Sequence, residues 1–285
     1  MSSRILTREN VNLNADTALQ KLKDTFSYFA DSGDSSLMKK ADTLAFWLET
    51  FADYLKKEDD FDYSSLPRYE RGNIISVNLG FNVGSEQGGL HYAVVIGKFS
   101  ERNSPVLTVV PLTSGTQDKT YKRDVYLGSE LYDKLTKRYN NEENKLQEDL
   151  KNYRAALSVL SEITRKEYNL PDELRQSTEE YLQNVKNANA EAQKRLRILQ
   201  SREKSAIDRL KSGSIALIGQ ITTISKIRIY KPKSKNDLMF NLKLSDGAMD
   251  KTMTCSESCM STVRFDVKIL CDRMLVMTTK PIGHS

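Results

Sequence analysis

The sequence predicts an α+β protein: an antiparallel β-structure preceded by one helical hairpin and interrupted by a second, much longer one. Three observations carry that expectation. Short apolar runs of strand character lie at residues 73–79, 91–96 and 106–112, separated by glycine-rich or polar breaks. Apolar residues step by three and four between Leu19 and Leu55. The same helical stepping returns over residues 131–211, with strand-like sequence on both sides of it.

Residues 1–66 read as an acidic helical arm. Leu19, Leu22, Phe26 and Phe29 share a helical face, and after the break SGDSS the residues Leu37, Ala41, Leu44, Leu48, Phe51 and Leu55 repeat it, which predicts a two-helix hairpin. From residue 31 to 62 nine acids face four lysines, ending in EDDFD. Such a run is solvated surface or, alternatively, an acidic arm that lies over a basic groove and competes with the groove's anionic ligand. The first part of the β-domain spans residues 67–130. Its first strand places Ile75, Val77 and Leu79 on one face, and Ala93 to Ile96 form a continuous buried second. Residues 106–112 are β-branched up to Pro111, and residues 121–127 alternate like an edge or hairpin strand.

Residues 131–211 form the inserted hairpin. Leu146, Leu150, Tyr153, Leu157 and Leu160 step by four and three, and Leu174, Thr178, Tyr181, Val185, Ala188 and Ala192 do the same beyond the break NLPD. Pro171 suits the first turn of the second helix. Two helices of about 35 residues, at about 1.5 Å per residue, give an antiparallel hairpin about 50 Å long that projects from the β-domain. Residues 212–250 complete that domain, with Ser245 as the N-cap of a closing helix. Residues 251–285 keep no sustained period and receive no assignment.

Composition narrows the class further. The chain has 285 residues, a net charge of +5 and no apolar run near the ~20 residues that cross a bilayer. Its opening, MSSRILTRENVNL, has no secretory-type apolar segment, so the expected compartment is the cytoplasm. Three cysteines, Cys255, Cys259 and Cys271, argue against a secreted disulfide framework, and the C-x3-C pair lacks further ligands nearby, so neither metal nor cofactor is expected. Two basic clusters stand out, one from Lys194 to Lys211 and one comprising Lys226, Arg228, Lys231, Lys233 and Lys235 around Tyr230. Cations beside an exposed aromatic suit phosphate contact and base stacking.

Between the first two strands lies a loop with Gly80, Gly84, Gly88 and Gly89, which leaves backbone amides open to an anionic ligand. The stretches VNLGFNVGSEQGGLHYAVVIG, VLTVVPLTSG and GSIALIGQITTISKIRI follow one another in this order. Together they resemble the MazF/PemK family of toxin endoribonucleases. The resemblance implies an SH3-like (MazF/CcdB-type) β-barrel, usually a homodimer partnered by an antitoxin, that cleaves single-stranded RNA without a metal and leaves a 2′,3′-cyclic phosphate. The arm and the inserted hairpin lie outside it.

Cleavage of that kind needs a base for the 2′-hydroxyl, an acid for the leaving 5′-oxygen and donors for the crowded phosphorane. His91, one of two histidines, follows the loop directly, and its ordinary pKa of about 6.5 suits proton transfer in either direction. By the resemblance Thr113 matches the family's catalytic threonine, with Ser114 adding a second hydroxyl. Glu86 matches the loop acid, either orienting His91 or closing the loop. The family's catalytic arginine is replaced by His91 and the proline after it by Tyr92; histidine lacks arginine's permanent charge and fork of donors. Gly219 stands before Gln220 where some members carry aspartate. The expected RNA contacts are Ser85, Gln87, Tyr92, Ser114, Gln220, Lys226, Arg228 and Tyr230. The loss of the arginine also opens two rival readings: a CcdB-like toxin that binds a protein target, or an interaction scaffold for the hairpin.

Overall fold

The computed structural model describes residues 6–97, 104–165, 171–211 and 213–255. The chain divides into two compact units, residues 1–62 with 78–90, and residues 63–77 with 91–285.

In the first unit, α1 (Arg8–Asp31) and α2 (Ser35–Lys57) form the expected hairpin. Each starts at a side-chain cap: the Asn10 N–H donates to Thr7 Oγ1 at 3.2 Å, and the Ser36 N–H to Asp34 Oδ1 at 2.7 Å. Leu22, Phe26 and Phe29 of α1 and Leu37, Ala41, Leu44 and Leu48 of α2 are half-buried, as their spacing requires. Leu19, Phe51 and Leu55, expected on the same stripe, are exposed. No residue of either helix is buried, because two helices alone cannot enclose a core.

The second unit carries most of the sheet. β1 (Ile74–Asn78), β2 (Leu90–Val95), β3 (Val106–Ser114), β4 (Val125–Gly128), β5 (Ser214–Ala216), β6 (Thr222–Ser225) and β7 (Ile229–Lys231) follow the order β4-β5-β3-β2-β1-β7, with β6 on β3. The β1–β7, β2–β3, β3–β5, β3–β6 and β4–β5 pairings are antiparallel. Among the described residues the path runs from β4 to β7 without closing. β3 holds β2 along one edge, while its other edge is shared: Val106–Val109 pair with β6 and Leu112–Ser114 with β5. Two corrections to the sequence reading follow. Residues 121–124 form a turn, closed by the Asp124 N–H on the Tyr121 carbonyl, so only residues 125–127 of the expected strand are extended, and β4 continues to Gly128. The stretch 214–231 breaks into three short strands at the 3₁₀ turns Ile218–Gln220 and Lys226–Arg228.

Between β4 and β5 run α3 (Glu130–Arg165) and α4 (Asp172–Ile198), then a π-helical turn (Leu199–Glu203) and α5 (Lys204–Asp208). Pro171 lies one residue earlier than expected, as the cap of α4, where its carbonyl accepts from Leu174 and Arg175. The helices are antiparallel, since Arg195 near the end of α4 pairs with Glu142 near the start of α3 at 2.7 Å. Only the outer part of the hairpin projects. Leu131, Leu135, Tyr139, Leu146 and Leu150 at its root are buried with Ala192, Leu199, Ile207 and Leu210, in one cluster with Val94, Val110, Leu112 and Ala216 of the sheet. Each such leucine contributes about 2 kcal/mol by leaving water. No described helix is long and apolar enough to cross a membrane.

Ser245 caps a helix over residues 246–255 as expected, accepting from the Ala248 N–H at 3.3 Å. It also donates to the Glu130 carboxylate through its backbone N–H (2.5 Å) and hydroxyl (2.9 Å), beside Lys134 at 2.7 Å. Burial by itself raises the Glu130 carboxyl, but the bonds from Lys134 and Ser245 outweigh it and hold the group below its ordinary range. A depressed carboxyl adds stability above its unfolded pKa that disappears as pH falls through the folded one. Glu130→Gln is therefore expected to cost about 1 kcal/mol at neutral pH, discounted for partial exposure. The difference from the wild type should shrink as pH falls below the ordinary glutamate range and vanish only below the depressed folded pKa, as read from urea midpoints along an acid series. Cys255, at the end of this helix, is half-buried with its thiol on the Arg123 carbonyl; Cys259 and Cys271 lie outside the described residues.

Candidate active site

Sheet register assembles the candidate site. Tyr92 pairs with Leu112 and Ala93 with Pro111, and one further step of that ladder sets His91 opposite Thr113. Across β3, Thr113 pairs with Ile215, and Ile215 with Tyr126. Opposed residues share a face, so His91, Thr113, Ile215 and Tyr126 form one transverse row. The next row, Tyr92, Leu112, Ala216 and Val125, faces the other way into the hydrophobic cluster. Below the first row, Ala93, Val95, Leu107 and Val109 continue its face and are buried. His91 and Thr113 thus stand half-buried at the rim of an apolar face. The His91 Nδ1 lies 3.4 Å from the Leu112 carbonyl oxygen. A proton donated there leaves the lone pair on Nε2, the tautomer a general base needs.

Two residues of this row escaped the sequence reading. Tyr126 extends its ring over Gly213, whose φ is +103°. A Cβ at Gly213 would lie 2.6 Å from the Tyr126 hydroxyl, 2.8 Å from its ring and 3.0 Å from the Gly115 carbonyl oxygen. Ile215 fills the row between Tyr126 and Thr113 and is buried. The signal was the glycine before β5, which marks a close approach as well as a turn.

The remaining expected site residues disperse. Tyr92 packs against the core on the opposite face, where burial raises its phenol and Arg209 opposes the rise. Ser114 is exposed, and alternation turns it away from Thr113. Gln220 ends the 3₁₀ turn after β5 and is half-buried. Lys226 is only 2% exposed, with its ammonium 5.9 Å from the centre of the Tyr63 ring, and desolvation lowers its pKa. Arg228 is half-buried, whereas Tyr230 keeps 50% exposure.

The glycine-rich loop belongs to the first unit. Its neck is pinched by the Leu79 N–H on the Gly89 carbonyl (2.8 Å) and the Gly89 N–H on the Gly80 carbonyl (2.7 Å). Gly88 passes so close that a Cβ would meet the Gly80 carbonyl oxygen at 2.8 Å. Glu86, exposed at the tip, closes the loop on itself by accepting the Val83 N–H at 3.3 Å. The Gln87 carbonyl accepts from the Asn82 amide at 2.6 Å, and Ser85 is exposed. Among the described residues no three His, Cys, Asp or Glu side chains are grouped to hold a metal ion.

His91, near the start of β2 and directly after the glycine-rich loop, and Thr113, near the end of β3, thus lie on adjacent strands of one antiparallel sheet. Residues 70–144 match the model of the family of PemK-like, MazF-like toxins of type II toxin–antitoxin systems. The matched segment runs from the start of β1 into α3 and includes His91 and Thr113. No curated protein matches the chain.

Proposed function

We propose that the chain is a toxin-type endoribonuclease that cleaves single-stranded RNA by attack of a 2′-hydroxyl on the adjacent phosphate. The observation that supports this most is the β2–β3 ladder from Val95–Val109 to Tyr92–Leu112, which, continued by one step, brings His91 opposite Thr113 within the segment that matches the toxin family. His91 takes the 2′-hydroxyl proton, the 2′-oxygen bonds to phosphorus, and the P–O5′ bond breaks. The imidazolium returns its proton to the departing 5′-oxygen, so a 2′,3′-cyclic phosphate and a 5′-hydroxyl result. Thr113 donates its hydroxyl to a non-bridging oxygen whose charge grows in the phosphorane. Arg228 and Tyr230 supply a cation and a stacking surface for flanking nucleotides.

In this reading the sheet is a derivative of the family's SH3-like barrel, opened by the insertion, and the toxin family implies an antitoxin protein as partner. Homodimerisation and a cytoplasmic setting are expectations of the same kind. Purified protein incubated with a long single-stranded RNA in a magnesium-free, chelator-containing buffer should give discrete cuts with cyclic-phosphate ends. Uncut RNA, or cuts that persist unchanged in Thr113→Ala, would remove the proposal.

A further inference from the structure

The two basic clusters of the sequence, separated by β5 and β6, meet in one cleft of about 620 Å³ at the root of the inserted hairpin. Arg195 reaches it from α4, Lys231 and Lys235 from β7 and the loop beyond, and Arg138 and Lys145 from α3. The acids of the cleft are already engaged. Glu142 pairs with Arg195, Glu203 with Lys231, and Asp237 accepts the Lys233 and Ser234 N–H groups. Arg138 is fixed by donating to the carbonyls of Leu238 (3.0 Å), Phe240 (2.5 Å) and Asn241 (3.1 Å), neutral acceptors that leave its charge uncompensated. Among the described residues neither Lys145 nor Lys235 has an ion-pair partner, and both are exposed. The cleft therefore carries surplus positive charge on a rigid frame.

We propose that this cleft binds the phosphodiester backbone of single-stranded RNA, extending the substrate path beyond the toxin domain; the proposal rests on the ribonuclease reading. The cleft wall still offers apolar surface where Ile198 is exposed beside the buried Leu146 and Leu199, so one feature favours RNA over an acidic protein segment. Tyr230, half exposed, has the Lys231 ammonium 5.9 Å from its ring centre and offers a base a face to stack on beside the bound phosphates. The amides of Asn141 and Asn236 add neutral donors that suit phosphate oxygens.

The test uses the full chain and a fluorescent, 2′-O-methylated single-stranded RNA that lacks the attacking hydroxyl. Lys145→Glu/Lys235→Glu should weaken binding at least about tenfold at 0.1 M salt and reduce the slope of log affinity on log salt by about 1–2. The Gln/Gln counterpart should lie between, with unchanged circular dichroism and melting. Unchanged affinity and slope, in protein that still cuts unmodified RNA, would overturn the cleft while leaving the ribonuclease standing. A poly-glutamate peptide that loses binding in the variants while RNA does not would assign the cleft to an acidic protein. Wild-type protein that neither binds nor cuts RNA removes both proposals together.

Discussion

Replacing His91 with alanine is expected to slow RNA cleavage by about 10³-fold, within the range that one positioned acid–base group supplies. The protein should stay folded. His91 is half-buried at the start of β2, and its hydrogen bond to the Leu112 carbonyl, at 3.4 Å, is long. Rate measured under single-turnover conditions, beside the thermal midpoint, separates chemistry from folding. His91→Arg, which restores the family's residue, is the informative partner. Arginine stays protonated and cannot take the 2′-hydroxyl proton, so this variant should cut as poorly as His91→Ala, whereas restored cleavage would mean that position 91 acts through positive charge and not as the base. A His91→Ala enzyme that cuts at the wild-type rate would exclude His91 from the chemistry and assign proton transfer to another group.

Gly213→Ala is expected to destabilise the protein by about 3 kcal/mol, adding left-handed backbone strain to a steric clash. At φ +103° the new methyl meets the Tyr126 hydroxyl at 2.6 Å and the Gly115 carbonyl at 3.0 Å, and the carbonyl cannot turn aside as a side chain can. Tyr126→Ala in the same chain should recover part of the loss by removing the ring. The part due to the backbone should remain, and a double-mutant cycle in urea measures the division. Full additivity would mean that Tyr126 does not pack over Gly213. Because Gly213 lies next to β5, whose Ile215 pairs with Thr113, the single variant should also cut RNA more slowly at temperatures where it is folded.

Much of the fold could be read from residue patterns because local periodicity and burial agree there. Ile74 to Asn78, Leu90 to Val95 and Val106 to Ser114 are strands where alternating or continuous apolar residues place them, and α1 to α4 follow their three-and-four spacing. Legibility ended where a partner decides the outcome. Nothing in the sequence shows that the lower half of β3 takes β6 and the upper half β5, or that Leu131 and Leu135 pack against the sheet rather than only against α4. Thr113 came from the resemblance and His91 from its place directly after the glycine loop; the β2–β3 ladder, continued by one step, brings them opposite each other. Lys226 was misleading because composition cannot tell a solvated lysine from one whose stem is buried at a 3₁₀ turn. Tyr92 and Ser114 each lie one residue from the candidate pair, and on a strand one residue is the other face.

Gly128 and Ser214 occupy one rung of the β4–β5 ladder, so the whole helical insertion leaves and re-enters the sheet at a single point. For the folding chain this is a question of search. Unaided, closing so long a connection costs entropy that grows as the logarithm of its length, before any strand contact repays it. α3 and α4 form from near-neighbour contacts and zip against each other, which shortens the effective distance between β4 and β5 to the width of the hairpin's root. Arg195 on Glu142 and Gln200 on Glu143 fasten that root. The insertion therefore acts as an internal splint: the later strands find β3 because the hairpin has already brought them to it.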